Sequence, residues 1–128
     1  MTGEAWASLA VTSSEGADAA NARQAAITDA LLGAAEVPLE TARACAKVAE
    51  LAATCATKGN TNAVSDAGVA ALLADAACRG AVYNVRINIA SLEDKSRGAG
   101  LVAEANQLLA QTKQYVETAT QAVEKAIG

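Results

Sequence analysis

A seven-residue repeat near the C-terminus constrains the fold of this chain more than any other feature. Apolar and small residues recur at two positions of each heptad, namely Val102, Leu109, Val116 and Val123 and, three residues after each, Ala105, Thr112, Ala119 and Ala126. This spacing places one seam along a helix and is typical of left-handed helix packing. The sequence therefore predicts that the last segment is a long helix in a bundle.

The remaining segments also favour helices. Ala, Leu, Glu, Gln and Lys dominate, and β-branched residues never alternate as they do in strands. We expect helices over residues 3–11, 19–57 and 65–89, and a fourth from about residue 95 to the end. The fold class is therefore all-α, with residues 1–128 forming one antiparallel multihelical bundle. Pro38 lies inside the second helix and should kink or restart it, because proline removes a backbone hydrogen bond.

Capping residues mark the expected helix ends. Gly16 is expected to break the chain, and Asp18 to cap the second helix. Gly59 suits the left-handed position that ends this helix. Ser65 is expected to cap the third helix, and Asp66 to lie in its positive first turn. Ser91 and Asp94 have the spacing of a capping box for the fourth helix.

The composition points to close helix contacts and to association. The chain has 35 alanines, one Trp, two Tyr and no Phe. Alanine buries little apolar area, so helices built from it must approach closely or pack against another chain. We therefore expect a homo-oligomer, most simply a dimer.

Several functions are disfavoured by the same composition. The net charge is −4 and basic residues are scattered, which argues against nucleic acid as a partner. No apolar run is long enough to cross a membrane, and the N-terminus lacks the basic start of a secretory signal. Cys45, Cys55 and Cys78 are expected to be buried, reduced thiols of a cytoplasmic protein. Since there is no His and no CxxC, we expect no metal site and no metal cofactor.

Residues 59–88 differ from the rest of the chain because amides flank an apolar, alanine-rich helix. Asn60 and Asn62 precede it together with the Ser65–Asp66 pair, and Asn84 and Asn88 lie near its end. The segments "EVPLE", "KGNTNAVSDAGVAALLADAACRGAVYNVRIN" and "LED" resemble the cyclodeaminase domain of formiminotransferase-cyclodeaminase and its single-domain relative, methenyltetrahydrofolate cyclohydrolase. The resemblance is strongest over residues 36–94. The chain looks like the C-terminal portion of that domain, without the family's N-terminal glycine-rich part.

The resemblance implies a function in folate-dependent one-carbon metabolism. Family members form helical bundles that dimerise, and they hydrolyse 5,10-methenyltetrahydrofolate or close 5-formiminotetrahydrofolate with loss of ammonia. Both reactions pass through a cationic amidinium-like carbon, which needs an anionic group and a positioned water or ammonia. The substrate would be a tetrahydrofolate derivative, and no separate cofactor is expected. The alternative is a catalytically inactive homologue that acts as a helical assembly or scaffold module.

Asp66 is the candidate catalytic residue implied by the resemblance; its alternative role is to stabilise the helix N-terminus. Asn60 and Asn62 either bind the pterin or hold a turn. Ser65 is either a substrate-binding hydroxyl or a cap. The remaining candidates lie at the other end of the helix.

There, Asn84 and Asn88 either bind substrate or are buried amides that fix helix register, and Arg86 either attracts the carboxylates of folate or is solvated. Asp66 and Asn84 are separated by about 27 Å along a straight helix. One small ligand head therefore cannot touch both within one chain. Either the two groups bind different parts of an extended folate, or an antiparallel partner helix brings Asp66 of one subunit near Asn84 of the other, or one group is only structural.

Overall fold

Three long helices form the part of the chain that the computed structural model describes, residues 13–128. They are α1 (Ser13–Lys58), α2 (Val64–Ala90) and α3 (Ala99–Ile127). Short 3-10 turns, Thr61–Ala63 and Lys95–Gly98, precede α2 and α3. Each helix packs against the other two, and the short connections make neighbouring helices antiparallel. The predicted all-α bundle is confirmed, whereas the helix expected over residues 3–11 lies outside the described residues.

The first described helix is longer than predicted. It already includes Gly16 and Asp18, so the predicted break and N-cap there are wrong. One glycine costs a helix only about 1 kcal/mol, and the flanking alanines favour helix formation. The helix also continues through Pro38 without a restart. Leu39 is fully buried next to the proline, which indicates that packing offsets the lost hydrogen bond; a bend of the axis at Pro38 stays a prediction.

The N-terminal part of α1 extends past the bundle. The helix has 46 residues against 27 in α2, which correspond to lengths of about 69 and 40 Å. Residues 16–23 are all exposed in the isolated chain. The packed part of the bundle therefore begins near Gln24.

Two clusters of buried side chains form the core, and one contains larger side chains than the other. The cluster nearer the α2–α3 connection holds the larger side chains, including Leu39, Val82, Val85 and Ile89. The other cluster lies towards the α1–α2 connection and consists of alanines with a single valine, Val116. Small side chains let backbones approach, so the core at the end where α1 meets α2 is suited to close helix contact.

The heptad repeat of α3 forms the predicted seam. Four of its members are buried, namely Ala105, Thr112, Val116 and Ala119. The hydroxyl of Thr112 donates a hydrogen bond to the Cys78 sulfur over 3.5 Å, which satisfies this polar group inside the core. Cys45 and Cys78 are buried as predicted, but Cys55 is exposed, so the prediction was wrong for that thiol.

The end of α1 and the start of α3 differ from their predicted caps. Gly59 does not have the left-handed backbone expected of it; instead its NH donates to the Cys55 carbonyl over 2.8 Å, and a Cβ here would collide with that carbonyl. Ser91 ends α2, and its hydroxyl donates a hydrogen bond to the Ile87 carbonyl. The Ser91–Asp94 capping box therefore does not form. Asp94 caps the Lys95–Gly98 turn by accepting from the Ser96 NH.

Within the described residues, no helix is long and apolar enough to cross a membrane.

Candidate functional site

The turn that leads into α2 holds the first group of predicted site residues. The side-chain oxygen of Asn60 accepts a hydrogen bond from the Asn62 NH over 2.9 Å, and the Asn60 carbonyl accepts from the Ala63 NH over the same distance. Asn60 therefore holds the turn, which was one of its two predicted roles. The side chain of Asn62 is exposed. Binding of a ligand by either amide stays a prediction.

Ser65 and Asp66 follow the turn in the first turn of α2. The helix begins at Val64 and its capping position is Ala63, which makes no side-chain hydrogen bond. Ser65 is therefore inside the helix, and the prediction that it caps the helix is wrong. Asp66 lies in the first turn as predicted and is exposed. Its carboxylate forms no ion pair with any described residue, so it is open to a ligand.

Asn84, Arg86 and Asn88 lie near the C-terminal end of α2. The Asn88 side-chain nitrogen donates to the Asn84 carbonyl over 2.9 Å. Asn84 and Arg86 are exposed and Asn88 is half-buried. The prediction that Asn84 and Asn88 are buried amides is thus wrong for this chain by itself. Both amides remain available for contacts outside the described bundle.

The structure does not bring the two groups together. Since α2 is one uninterrupted helix, Asp66 and Asn84 remain about 27 Å apart along its axis. Of the three arrangements derived from the sequence, an extended ligand, a partner helix or one structural group, none requires a change in the helix. Any site that uses both groups must therefore involve more than this bundle and a small ligand head.

Sequence reasoning missed a groove of about 600 Å³ beside the α1–α2 turn. Its polar lining comes from the end of α1, the turn and the last part of α3, namely Thr57, Thr61, Thr118, Gln121 and Lys125. Of these, Thr57 and Thr61 are close in sequence to the predicted residues, whereas Thr118, Gln121 and Lys125 come from α3. The heptad repeat places the three α3 residues beside the seam, but it does not show that they lie next to the turn.

The outward side of α2 is apolar, although it points away from the core. Five large side chains on this side are each more than half exposed, namely Val69, Leu72, Leu73, Tyr83 and Ile87. The small residues Ala76 and Gly80 lie between them along the helix. We call these seven residues the outer stripe. A helix that is apolar on two opposite sides is typically buried on both, so the outer stripe is a candidate packing surface.

The acidic side chains near the candidate residues limit which ligands those residues can bind. No group of three or more His, Cys, Asp or Glu side chains that could hold a metal occurs within residues 13–128. Asp75, the other acidic residue of α2, is paired with Arg79 over 3.3 Å. The exposed carboxylate of Asp66, which forms no ion pair within residues 13–128, can face a cationic ligand group.

Comparisons with known proteins show a family and a relative that match this chain. The formiminotransferase-cyclodeaminase family matches residues 6–107. The methenyltetrahydrofolate cyclohydrolase of Methylorubrum extorquens is 44% identical over 90 residues, which cover 70% of this chain and 43% of that protein. The chain thus spans less than half the length of this curated relative.

Proposed function

The chain belongs to the formiminotransferase-cyclodeaminase family, and on that premise we propose that it acts on a methenyl- or formimino-substituted tetrahydrofolate in one-carbon metabolism. The observation that carries the proposal is the exposed carboxylate of Asp66, which has no ion-pair partner within residues 13–128 and follows the Asn60–Asn62 turn. It lies within the stretch that matches the family. Hydrolysis of the methenyl derivative is the favoured reaction, because the relative is a methenyltetrahydrofolate cyclohydrolase. We also propose that the protein works in the cytoplasm, where its free thiols would stay reduced.

The proposed chemistry needs an anion close to a cationic carbon. The methenyl carbon lies between two nitrogens that share a positive charge, and a carboxylate beside it stabilises this charge. Water adds its oxygen to the carbon and gives up a proton, for which Asp66 is the proposed acceptor. The bond from the carbon to one nitrogen then breaks, and that nitrogen takes the proton of the new hydroxyl group, which leaves the formyl product. Asn60, Asn62 and Ser65 are proposed to hold the ring system, and no metal or redox cofactor enters these steps.

The far end of α2 is proposed to contribute from a second subunit. The outer stripe is apolar opposite the core and has small residues at its centre, which favours an antiparallel contact between two α2 helices. A two-fold axis near Asp75 to Ala77 would place Asp66 of one subunit opposite Asn84 to Asn88 of the other. Asn84, Arg86 and Asn88 would then bind substrate across the dimer, which accounts for amides at both ends of one helix.

Replacing one carboxylate tests the catalytic role. In Asp66→Asn the side chain keeps its shape but loses its charge, so we expect kcat for methenyltetrahydrofolate hydrolysis to fall by roughly 100-fold or more. The matched control is Asp29→Asn, which removes an exposed carboxylate from α1 and should leave the rate unchanged. Full activity in Asp66→Asn would eliminate the proposed role of this residue.

A second candidate function is a non-catalytic assembly module. It is favoured by the outer stripe together with the chain's short span of the relative. This function predicts a stable oligomer that neither binds nor converts folates. Turnover of methenyltetrahydrofolate separates the two candidates, since hydrolysis faster than in buffer favours the enzyme and its absence favours the module.

A further inference from the structure

A second groove lies at the opposite end of the bundle from Asp66, where α2 connects to α3. It has a volume of about 510 Å³, which is within the range of small-molecule sites. Its polar lining consists of Arg86, Lys95 and Asn106, and its apolar lining of Ile89, Ala90, Ala99, Val102 and Ala103. The groove is thus built from α2, the Lys95–Gly98 turn and α3. Of these residues, only Arg86 belongs to the proposed substrate contacts.

The charges in this groove are of one sign. Arg86 and Lys95 both line it, and no carboxylate does. Neither cation forms an ion pair within residues 13–128, whereas the arginines at positions 43 and 79 both do. The first turn of α3 beside the groove also lacks an acidic residue. Two unpaired cations therefore converge on one concave surface.

The donor types indicate the chemistry of the ligand. A guanidinium presents a planar set of N–H donors that matches the two oxygens of a carboxylate or phosphate, and an ammonium adds a point charge. The amide of Asn106 supplies a further donor. The apolar lining would contact an uncharged body attached to the anionic group. An inorganic ion alone would leave that lining unused.

We propose that this groove binds an oxyanion, a carboxylate or a phosphate, carried on an apolar or aromatic body. The charged group is held by Arg86 and Lys95 at the rim, with Asn106 as a third donor. The body lies against the apolar lining between α2 and α3. Within one chain the groove lies about 30 Å from Asp66 along α2. Because Arg86 is also a proposed substrate contact, the proposal rests in part on the proposed function. It is tested by binding alone, so its failure is distinguishable from a failure of turnover.

The test measures binding of three aromatic probes to the full chain by calorimetry, with amide chemical shifts to locate them. The probes are p-aminobenzoyl-glutamate, phenyl phosphate and the uncharged p-aminobenzamide. We expect saturable binding of at least one anion, with shifts at Ala99, Ala103 and Asn106, and weaker binding as salt is raised. Binding of the first anion alone would identify a carboxylate site, and of the second alone a phosphate site. Binding of both would indicate a general oxyanion site.

Charge removal provides the matched comparison. In Arg86→Ala/Lys95→Ala the affinity for the bound anion should fall by about tenfold or more. In Arg23→Ala/Lys113→Ala, which removes the same charge from exposed positions elsewhere, it should stay unchanged. Equal affinity in the two double variants would overturn the proposal, as would binding of p-aminobenzamide as tightly as the anions. Absence of binding by both anions would overturn it as well, whatever the hydrolytic activity of the protein.

Discussion

Close packing at the α1–α2 end makes one small substitution informative. Gly68 is buried in α2, and a Cβ built on it would collide with a methyl group of Val123 in α3. Valine is short and stiff, so it cannot move aside as a long side chain does. Gly68→Ala should therefore push α2 and α3 apart at the point where the core is built from alanines.

The expected cost follows from two opposing terms. Overpacking of a well-packed interior costs about 1 to 3 kcal/mol, whereas replacing a helical glycine by alanine contributes about 1 kcal/mol of helix propensity. Gly68→Ala should thus lower the free energy of unfolding by about 1 kcal/mol on balance. In a Val123→Ala background the collision is gone, so the same substitution should raise this free energy by about 1 kcal/mol.

Urea unfolding followed by circular dichroism measures both values, at one protein concentration because association adds to apparent stability. Gly33→Ala is the control, since nothing lies near the position of its Cβ, and it should stabilise α1 by about 0.5 to 1 kcal/mol. If Gly68→Ala stabilises the protein as much as Gly33→Ala does, the close contact with Val123 does not exist. The same conclusion follows if the Val123→Ala background leaves the effect of Gly68→Ala unchanged.

Three further predictions concern an ion pair, the outer stripe and the thiols. Arg43 and Glu104 pair through two hydrogen bonds of 2.6 and 2.9 Å, and the hydrogen bond from Arg43 lowers the pKa of Glu104. Glu104→Gln should therefore be less stable than the wild type above the usual pKa of glutamate, about 4.3, and the difference in urea midpoint should vanish as pH falls through the lowered pKa; a difference that persists in acid would contradict the pairing. Leu73→Glu, in the outer stripe, should convert an oligomer to a monomer in analytical ultracentrifugation while its helicity is retained, and an unchanged mass would exclude this surface as the interface. An aromatic disulfide reagent should label only Cys55 in the native protein, and it should label all three thiols in denaturant. Rapid labelling of a second thiol in the native state would contradict the burial of Cys45 and Cys78.

The sequence predicted the bundle well because periodicity reports directly on buried surface. The heptad repeat of α3 fixed which of its residues face the core, and Thr112 and Ala119 are fully buried there. The polar turn at residues 59–63 likewise separated α1 from α2. In both places local pattern and tertiary packing favour the same structure.

Helix ends were predicted less well, because several residue types can satisfy the same backbone groups. Ser65 has the preferred chemistry of a cap, yet the Asn60 turn starts α2 one residue earlier. Asp18 is likewise a good cap, but the alanines around it continue the helix. Cap preferences amount to about 1 kcal/mol, which neighbouring contacts readily outweigh.

The candidate site was only partly accessible from the sequence. Asp66 and Asn60 could be named as candidates because they lie in a distinctive polar run, and their roles in binding and catalysis stay predictions. Lys125 and Thr118 could not be named, because they approach the turn only through the packing of α3. Lys95 was missed as well, since no local pattern shows that it shares a groove with Arg86. Residues brought together by helix packing across the bundle leave no signal in a single stretch of sequence.

The decay of methenyltetrahydrofolate absorbance, with and without the purified protein, tests the proposed function most directly. The assay should be run at a pH where spontaneous hydrolysis is slow, over a range of protein concentrations that spans the formation of an oligomer. We predict that the protein accelerates the decay in proportion to the concentration of oligomer, and that Asp66→Asn abolishes this acceleration. A decay equal to that in buffer at every protein concentration would contradict the enzymatic role and leave the assembly module as the function of this chain.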